Sequence, residues 1–168
     1  MRDHPADWKE DRLLGECDMR RERRSGPGGQ HRNKVETAVV LTHRPTGISA
    51  EANERRSQYE NRQFALFRLR LRLSLQVRRP VSLDDPPSPL WKSRTRGGKI
   101  SVNPQHDDFP SLLAEALDYV AAADWDAKVA AQSLSCSTTQ LVRFLKDEPA
   151  AFQRLNAERG ERGLRPLT

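Results

Sequence analysis

The sequence predicts an α+β fold: a small β-sheet packed on one long α-helix, followed by a small all-α helical region. Three observations carry this. Thr37–Thr42 (TAVVLT) is a short run of β-branched and apolar residues, the composition of a strand. Residues 56–78 contain neither Gly nor Pro, and that run is too long for an ordinary strand. Beyond the proline-rich stretch that opens at Pro80, only helical periodicity is found.

Taken in order, Thr37–Thr42 leads into Pro45-Thr46-Gly47, which is turn chemistry, and Ile48–Glu51 returns as a second strand. The helix over 56–78 contains a conflict, because Arg68–Leu75 (RLRLRLSL) alternates with the period of a strand. On a helical wheel Ala65, Leu66, Leu69 and Leu73 share one face, and Phe64, Phe67, Leu71 and Leu75 fall nearly opposite. A helix apolar on two sides is expected to be covered on two sides, by the sheet and by another element. Residues 80–108 read as a Pro-rich and basic linker, with Trp91, Lys92, Arg94, Arg96 and Lys99 around Gly97-Gly98. Helices then follow over Phe109–Ala123, Trp125–Leu134, Thr138–Lys146 and from Pro149 to Arg159, the third capped by Ser137 or Thr138. The domain reading is therefore 1–79, 80–108 and 109–168.

The charge is unevenly spread. Residues 1–99 hold 22 Lys and Arg against 13 Asp and Glu, whereas residues 100–168 hold 7 against 10. A basic, arginine-rich front suits a polyanionic partner, or is simply a solvated surface. No apolar run approaches membrane-spanning length and the N-terminus resembles no leader, so a cytoplasmic protein with no membrane partner is expected. Cys17 and Cys136 are far apart and form no CxxC pair, so neither a disulfide nor a metal site is expected, and no cofactor.

The chemistry is concentrated in residues 25–34, Ser-Gly-Pro-Gly-Gly-Gln-His-Arg-Asn-Lys. Glycines let a backbone adopt positive φ and approach another surface closely. Gln30 offers an amide and a backbone N–H, and Arg23, Arg24, Arg32 and Lys34 surround it. No nucleophile with its own base is assembled there, as a self-contained hydrolase would need. From the residues alone the loop is a probe for a nucleic-acid site, a phosphate-binding turn or an ordinary exposed turn.

The sequence of motifs SGPGGQHRNK, THRPTGI and RRSQYENR resembles the catalytic domain of class I peptide chain release factors, over roughly residues 14–78. It is most similar to the small codon-independent ribosome-rescue factors that share that domain. The resemblance implies a loop carrying Gly28, Gly29 and Gln30 that enters the ribosomal peptidyl transferase centre and promotes hydrolysis of the peptidyl-tRNA ester. The backbone N–H of Gln30 would stabilise charge on the ester oxygen, and its side chain would admit water. Arg23, Arg24, Arg32, Asn33 and Lys34 would contact ribosomal RNA, and Arg55, Arg56 and Arg62 would do the same or brace the loop. Ser57 and Asn61 serve that role or cap the helix. His31 is expected to pack rather than act as a base. The implied partners are the ribosome and peptidyl-tRNA, with the protein a monomer.

The sequence also departs from that family. With the motif near its start it leaves no room upstream for stop-codon-reading domains, so release on stalled ribosomes is expected. Where small rescue factors continue into a basic tail, this chain has an acidic helical region; only Lys92–Lys99 imitates such a tail. Arg32 and Pro27 stand where many relatives have smaller residues. Residues 130–145 resemble a helix-turn-helix, with Ala131, Leu134, Leu141 and Leu145 inside. Two other readings stay open: a non-catalytic ribosome- or RNA-binding protein, and a DNA-binding regulator acting through residues 125–146.

Overall fold

The computed structural model describes residues 3–22 and 37–168. The chain divides into two compact units: Pro5–Leu73, and Ser74–Thr168 together with the N-terminal residues up to His4. The fold is mixed α and β, as expected.

In the first unit a 3₁₀ turn (Pro5–Asp7) precedes helix α1 (Glu10–Gly15) and strands β1 (Cys17–Glu22), β2 (Ala38–His43) and β3 (Ser49–Ala52). The sheet is antiparallel in the order β1-β2-β3. Helix α2 (Gln58–Gln76) follows. The core is made by Val39 and Leu41 of β2, Ala50 and Ala52 of β3, Leu13 of α1, and Ala65, Leu66 and Leu69 of α2. Gly47 has φ +70 in the β2–β3 turn, a conformation that needs glycine, and its N–H bonds the His43 carbonyl at 2.8 Å.

The period-2 run in α2 is a helix, and its arginines show why both patterns coexist. At about 100° per residue, Arg68 and Arg72 lie on one flank of the buried Leu69–Leu73 stripe and Arg70 on the other. Arg68 bonds the Glu51 carbonyl at 2.8 Å, and Arg72 bonds the Ser49 carbonyl. These carbonyls lie on edge strand β3. Four helical residues rise about 6 Å, close to the roughly 6.7 Å between alternate strand carbonyls, so the two arginines match the edge in register. Arg70 bonds the Trp8 carbonyl at 2.7 Å. The second apolar face of α2 is covered less than the pattern predicts. Phe64 is 41 % exposed, with the Arg55 guanidinium 5.3 Å from its ring centroid, and Phe67 and Leu71 are half-buried. A cation over the ring shields it without a packed layer.

In the second unit, residues 80–108 hold helix α3 (Pro89–Arg94) and a hairpin of β4 (Thr95–Arg96) and β5 (Lys99–Ile100). Gly97 and Gly98 have φ +56 and +74, the positive values a two-residue hairpin turn demands. Helices α4 (Phe109–Ala122), α5 (Ala127–Ser133), α6 (Thr138–Lys146) and α7 (Pro149–Glu161) follow. Trp91 is buried, 5.8 Å from Phe144, and its indole donates to the Leu134 carbonyl at 2.9 Å.

Three α4 side chains hold the proline-rich segment. Asp118 accepts from the Arg78 guanidinium and the Arg79 N–H, both at 3.0 Å. Tyr119 donates to the Asp85 carbonyl at 3.0 Å. Glu115 accepts from the Ser88 N–H at 2.7 Å and its hydroxyl at 2.5 Å. Both carboxylates are buried, so each depends on these donors.

Candidate functional site

Gly28, Gly29, Gln30, Arg23, Arg24, Arg32, Asn33 and Lys34 lie outside the described residues, as does His31. The described residues define what flanks that segment. Strands β1 and β2 pair from Cys17↔His43 to Glu22↔Ala38, so residue 22 enters the segment directly opposite residue 38. β1 was not apparent from sequence: it reads CDMRRE, it lies at the sheet edge, and Asp18–Arg21 are exposed. Its place is set by backbone pairing with β2, not by an apolar pattern.

Asn61 is the central polar residue here. It is fully buried. Its amide nitrogen donates to the Thr37 carbonyl at 2.7 Å and to the Arg55 carbonyl at 2.9 Å. Its Oδ1 accepts from the Arg55 N–H at 2.9 Å. One side chain thus ties the residue preceding β2 to the loop that precedes α2. Ser57 caps α2, with Oγ accepting from the Glu60 N–H at 3.3 Å. The sequence reading allowed Asn61 a capping role; the structure gives it a cross-chain bridge, a role that no local spacing signals.

The three described candidates differ. Arg55 and Arg56 are exposed. Arg62 is half-buried and bonds Glu10 at 3.0 Å, where Gln63 also donates at 3.1 Å. The Arg62 guanidinium also lies 5.6 Å from the centroid of Tyr59, which is 66 % exposed. Arg55 over Phe64 and Arg62 near Tyr59 place two cation–aromatic pairs at the start of α2. Exposed rings and guanidiniums of this kind offer stacking surfaces and charge to single-stranded RNA.

His43 is buried at the other end of β2, with Nδ1 2.8 Å from the Thr46 hydroxyl and its ring edge-on to Trp8 at 5.9 Å. Burial lowers its pKa below the usual histidine value, so it is neutral at pH 7 and screened from solvent. Cys17 and Cys136 are free thiols, each pushed up to about 11 by burial. Neither is an activated nucleophile. Arg44 fixes the turn, bonding the Cys17 carbonyl at 3.0 Å and the Gly15 carbonyl at 2.5 Å.

Comparison with known proteins assigns this region. A family profile described as the RF-1 domain matches residues 15–88. Residues 15–88 carry the RF-1 domain. It takes in β1 to α2, the connection between β1 and β2, and the stretch up to Ser88, the N-cap of α3. The chain is 43 % identical over 150 residues to peptide chain release factor 1 of Leptothrix cholodnii, covering 83 % of this chain and 41 % of that protein. It is 35 % identical over 132 residues to peptide chain release factor 2 of Paramagnetospirillum magneticum, covering 70 % and 36 %. It is 57 % identical over 51 residues to peptide chain release factor 1 of Thermotoga maritima, covering 30 % and 15 %. The chain spans well under half the length of these relatives. Among the described residues, no helix is long and apolar enough to cross a membrane.

Proposed function

We propose that this protein promotes hydrolysis of the peptidyl-tRNA ester in the ribosomal peptidyl transferase centre, as a codon-independent rescue factor for stalled ribosomes. The carrying observation is that Gly28-Gly29-Gln30 falls inside the RF-1 match. It lies on the connection between two strands paired up to Glu22↔Ala38. Asn61 fixes the far end of that connection by bonding Thr37, which supports a loop presented from a rigid base.

In this reading the backbone N–H of Gln30 stabilises the developing oxyanion, and its side chain orients water. The ribosome and the tRNA complete the site, so no base within the domain and no cofactor are required. Arg23, Arg24, Arg32, Asn33, Lys34, Arg55 and Arg56 contact ribosomal RNA, while Arg62 braces α2 through Glu10. The work is divided between a catalytic region over 1–79 and the helical region over 109–168, joined by 80–108. The protein acts in the cytoplasm as a monomer.

The test is peptide release from stalled ribosomes carrying labelled peptidyl-tRNA. Wild-type protein is expected to release peptide, and Gly29→Ala and Gln30→Ala to lose release while still binding ribosomes. Equal release by wild type and Gln30→Ala would overturn the reading and leave a non-catalytic ribosome-binding protein.

A further inference from the structure

The β4–β5 hairpin stands beside α6. The Ser137 N–H, at the N-cap of α6, meets the Gly98 carbonyl at 3.5 Å. Between β5, the residues after it and α6 lies a groove of about 420 Å³, lined among others by Lys99, Asn103, Gln140, Arg143 and Asp147. Arg96 and Lys99 are cross-strand partners on the hairpin, and both are exposed. Like charges placed directly opposite each other destabilise a hairpin. Folding therefore does not explain this pair, whereas a phosphate between them would offset the repulsion. Arg143 adds a third exposed cation from α6, and Thr139 lies one turn before it on the same helix face.

We propose that hairpin β4–β5 and the side of α6 that faces it, from Ser137 to Arg143, form a second RNA-binding surface that grips the phosphodiester backbone of a structured RNA without reading its bases. The geometry favours backbone contact. α6 has nine residues, and Asp147 and Glu148 follow it, so a phosphate strand running along its full length would meet carboxylates. That argues against a helix laid in a DNA major groove, which is how duplex DNA sequence is read. Double-stranded RNA is recognised through shape and backbone, which a short cationic hairpin and a helix start can supply. The inference does not depend on Gln30 or on peptide release.

The experiment uses the full chain and a fluorescein-labelled RNA hairpin, with a DNA hairpin of the same sequence as comparator. Lys99→Glu with Arg143→Glu is expected to weaken RNA binding at least tenfold. It should also flatten the dependence of log K on log salt by about one unit for each phosphate that is no longer neutralised. Lys128→Glu with Arg165→Glu makes the same change in net charge at exposed positions outside the groove lining, and is expected to change affinity less than threefold. Photo-crosslinked peptides should fall within residues 95–104 and 137–147. Equal losses from the two double variants, or crosslinks confined to residues 15–73, would overturn the proposal. DNA bound as tightly as RNA, with the same loss on Lys99→Glu and Arg143→Glu, would overturn the assignment to RNA.

Discussion

Both units use arginines to hold backbone carbonyls, but in the second, buried carboxylates also hold backbone N–H groups. In Pro5–Leu73, arginines hold backbone: Arg44, Arg68, Arg70 and Arg72 all donate to carbonyls. In the unit beginning at Ser74, Arg154 and Arg159 likewise donate to the Leu75 and Trp125 carbonyls, and two buried carboxylates are added: Asp118 and Glu115 accept from the N–H groups of Arg79 and Ser88. The difference follows from what each partner segment leaves unpaired. A sheet edge or a helix-to-strand junction presents carbonyls, which need donors. The proline-rich segment presents the N–H groups of Arg79 and Ser88, at its two ends, to α4, and those need acceptors. The arginines also stay partly solvated, with flexible stems, whereas the two carboxylates are buried. Removing a carboxylate should therefore cost more than removing an arginine.

The largest expected effect tests the core that α3 shares with α6 in the second unit. Trp91→Ala removes a buried ring and leaves the Leu134 carbonyl unpaired, and should cost about 4 kcal/mol; thermal unfolding would show it as a large fall in Tm. Asp118→Ala should cost about 3 kcal/mol, because it removes the ion-pair partner of Arg78 and the acceptor of the Arg79 N–H. Urea denaturation of that variant sharpens the comparison if its loss exceeds that of any single arginine variant in the first unit. Asn61→Ala removes three hydrogen bonds from a fully buried position and should cost about 2 kcal/mol. It should also lower peptide release more than ribosome binding. Arg68→Ala with Arg72→Ala should cost about 1 kcal/mol and expose β3, detected as self-association in light scattering. A loss as large as that of Asp118→Ala would break the comparison.

The smallest effect concerns pH. The pKa of His43 is lowered by burial, so the unfolded chain takes up a proton first as pH falls. Stability is fully present above the unfolded value of about 6.5, and declines as pH drops through that value towards the lower folded one. His43→Gln should remove this part of the pH dependence, measured as Tm between pH 7.5 and 5.5.

Legibility in the sequence tracked the source of the stabilisation. β2, β3, α2 and α4 to α7 carry apolar periodicity, so they could be read with ends shifted by one or two residues. β1 is paired by its backbone and exposes charged side chains, so it carries no such signal. Trp91 stood in a stretch that read as a basic linker, and its burial rests on the Phe144 ring and the Leu134 carbonyl, both more than 40 positions away. Two acids of the region 100–168, Glu115 and Asp118, are buried staples whose partners lie 27 and 39 positions away, so no local pattern marked them. The glycine-glutamine segment was singled out by motif order, its residues alone leaving three readings open, and it lies outside the described residues. The anchoring role of Asn61 depends on Thr37, 24 positions away, and no local pattern reports such a distance.

Asn61 also sets a limit on what the sequence can become. Its amide donates twice and accepts once inside a fully buried site. Aspartate keeps the shape but loses both donors and buries a charge, glutamine is a methylene too long, and leucine or alanine satisfies none of the three groups. No other amino acid fits all three demands. In a saturation library scored for stability, every substitution at position 61 should carry a cost, while the exposed Tyr59 and Glu60 beside it accept most substitutions. Exposed positions of the domain can drift around one that cannot.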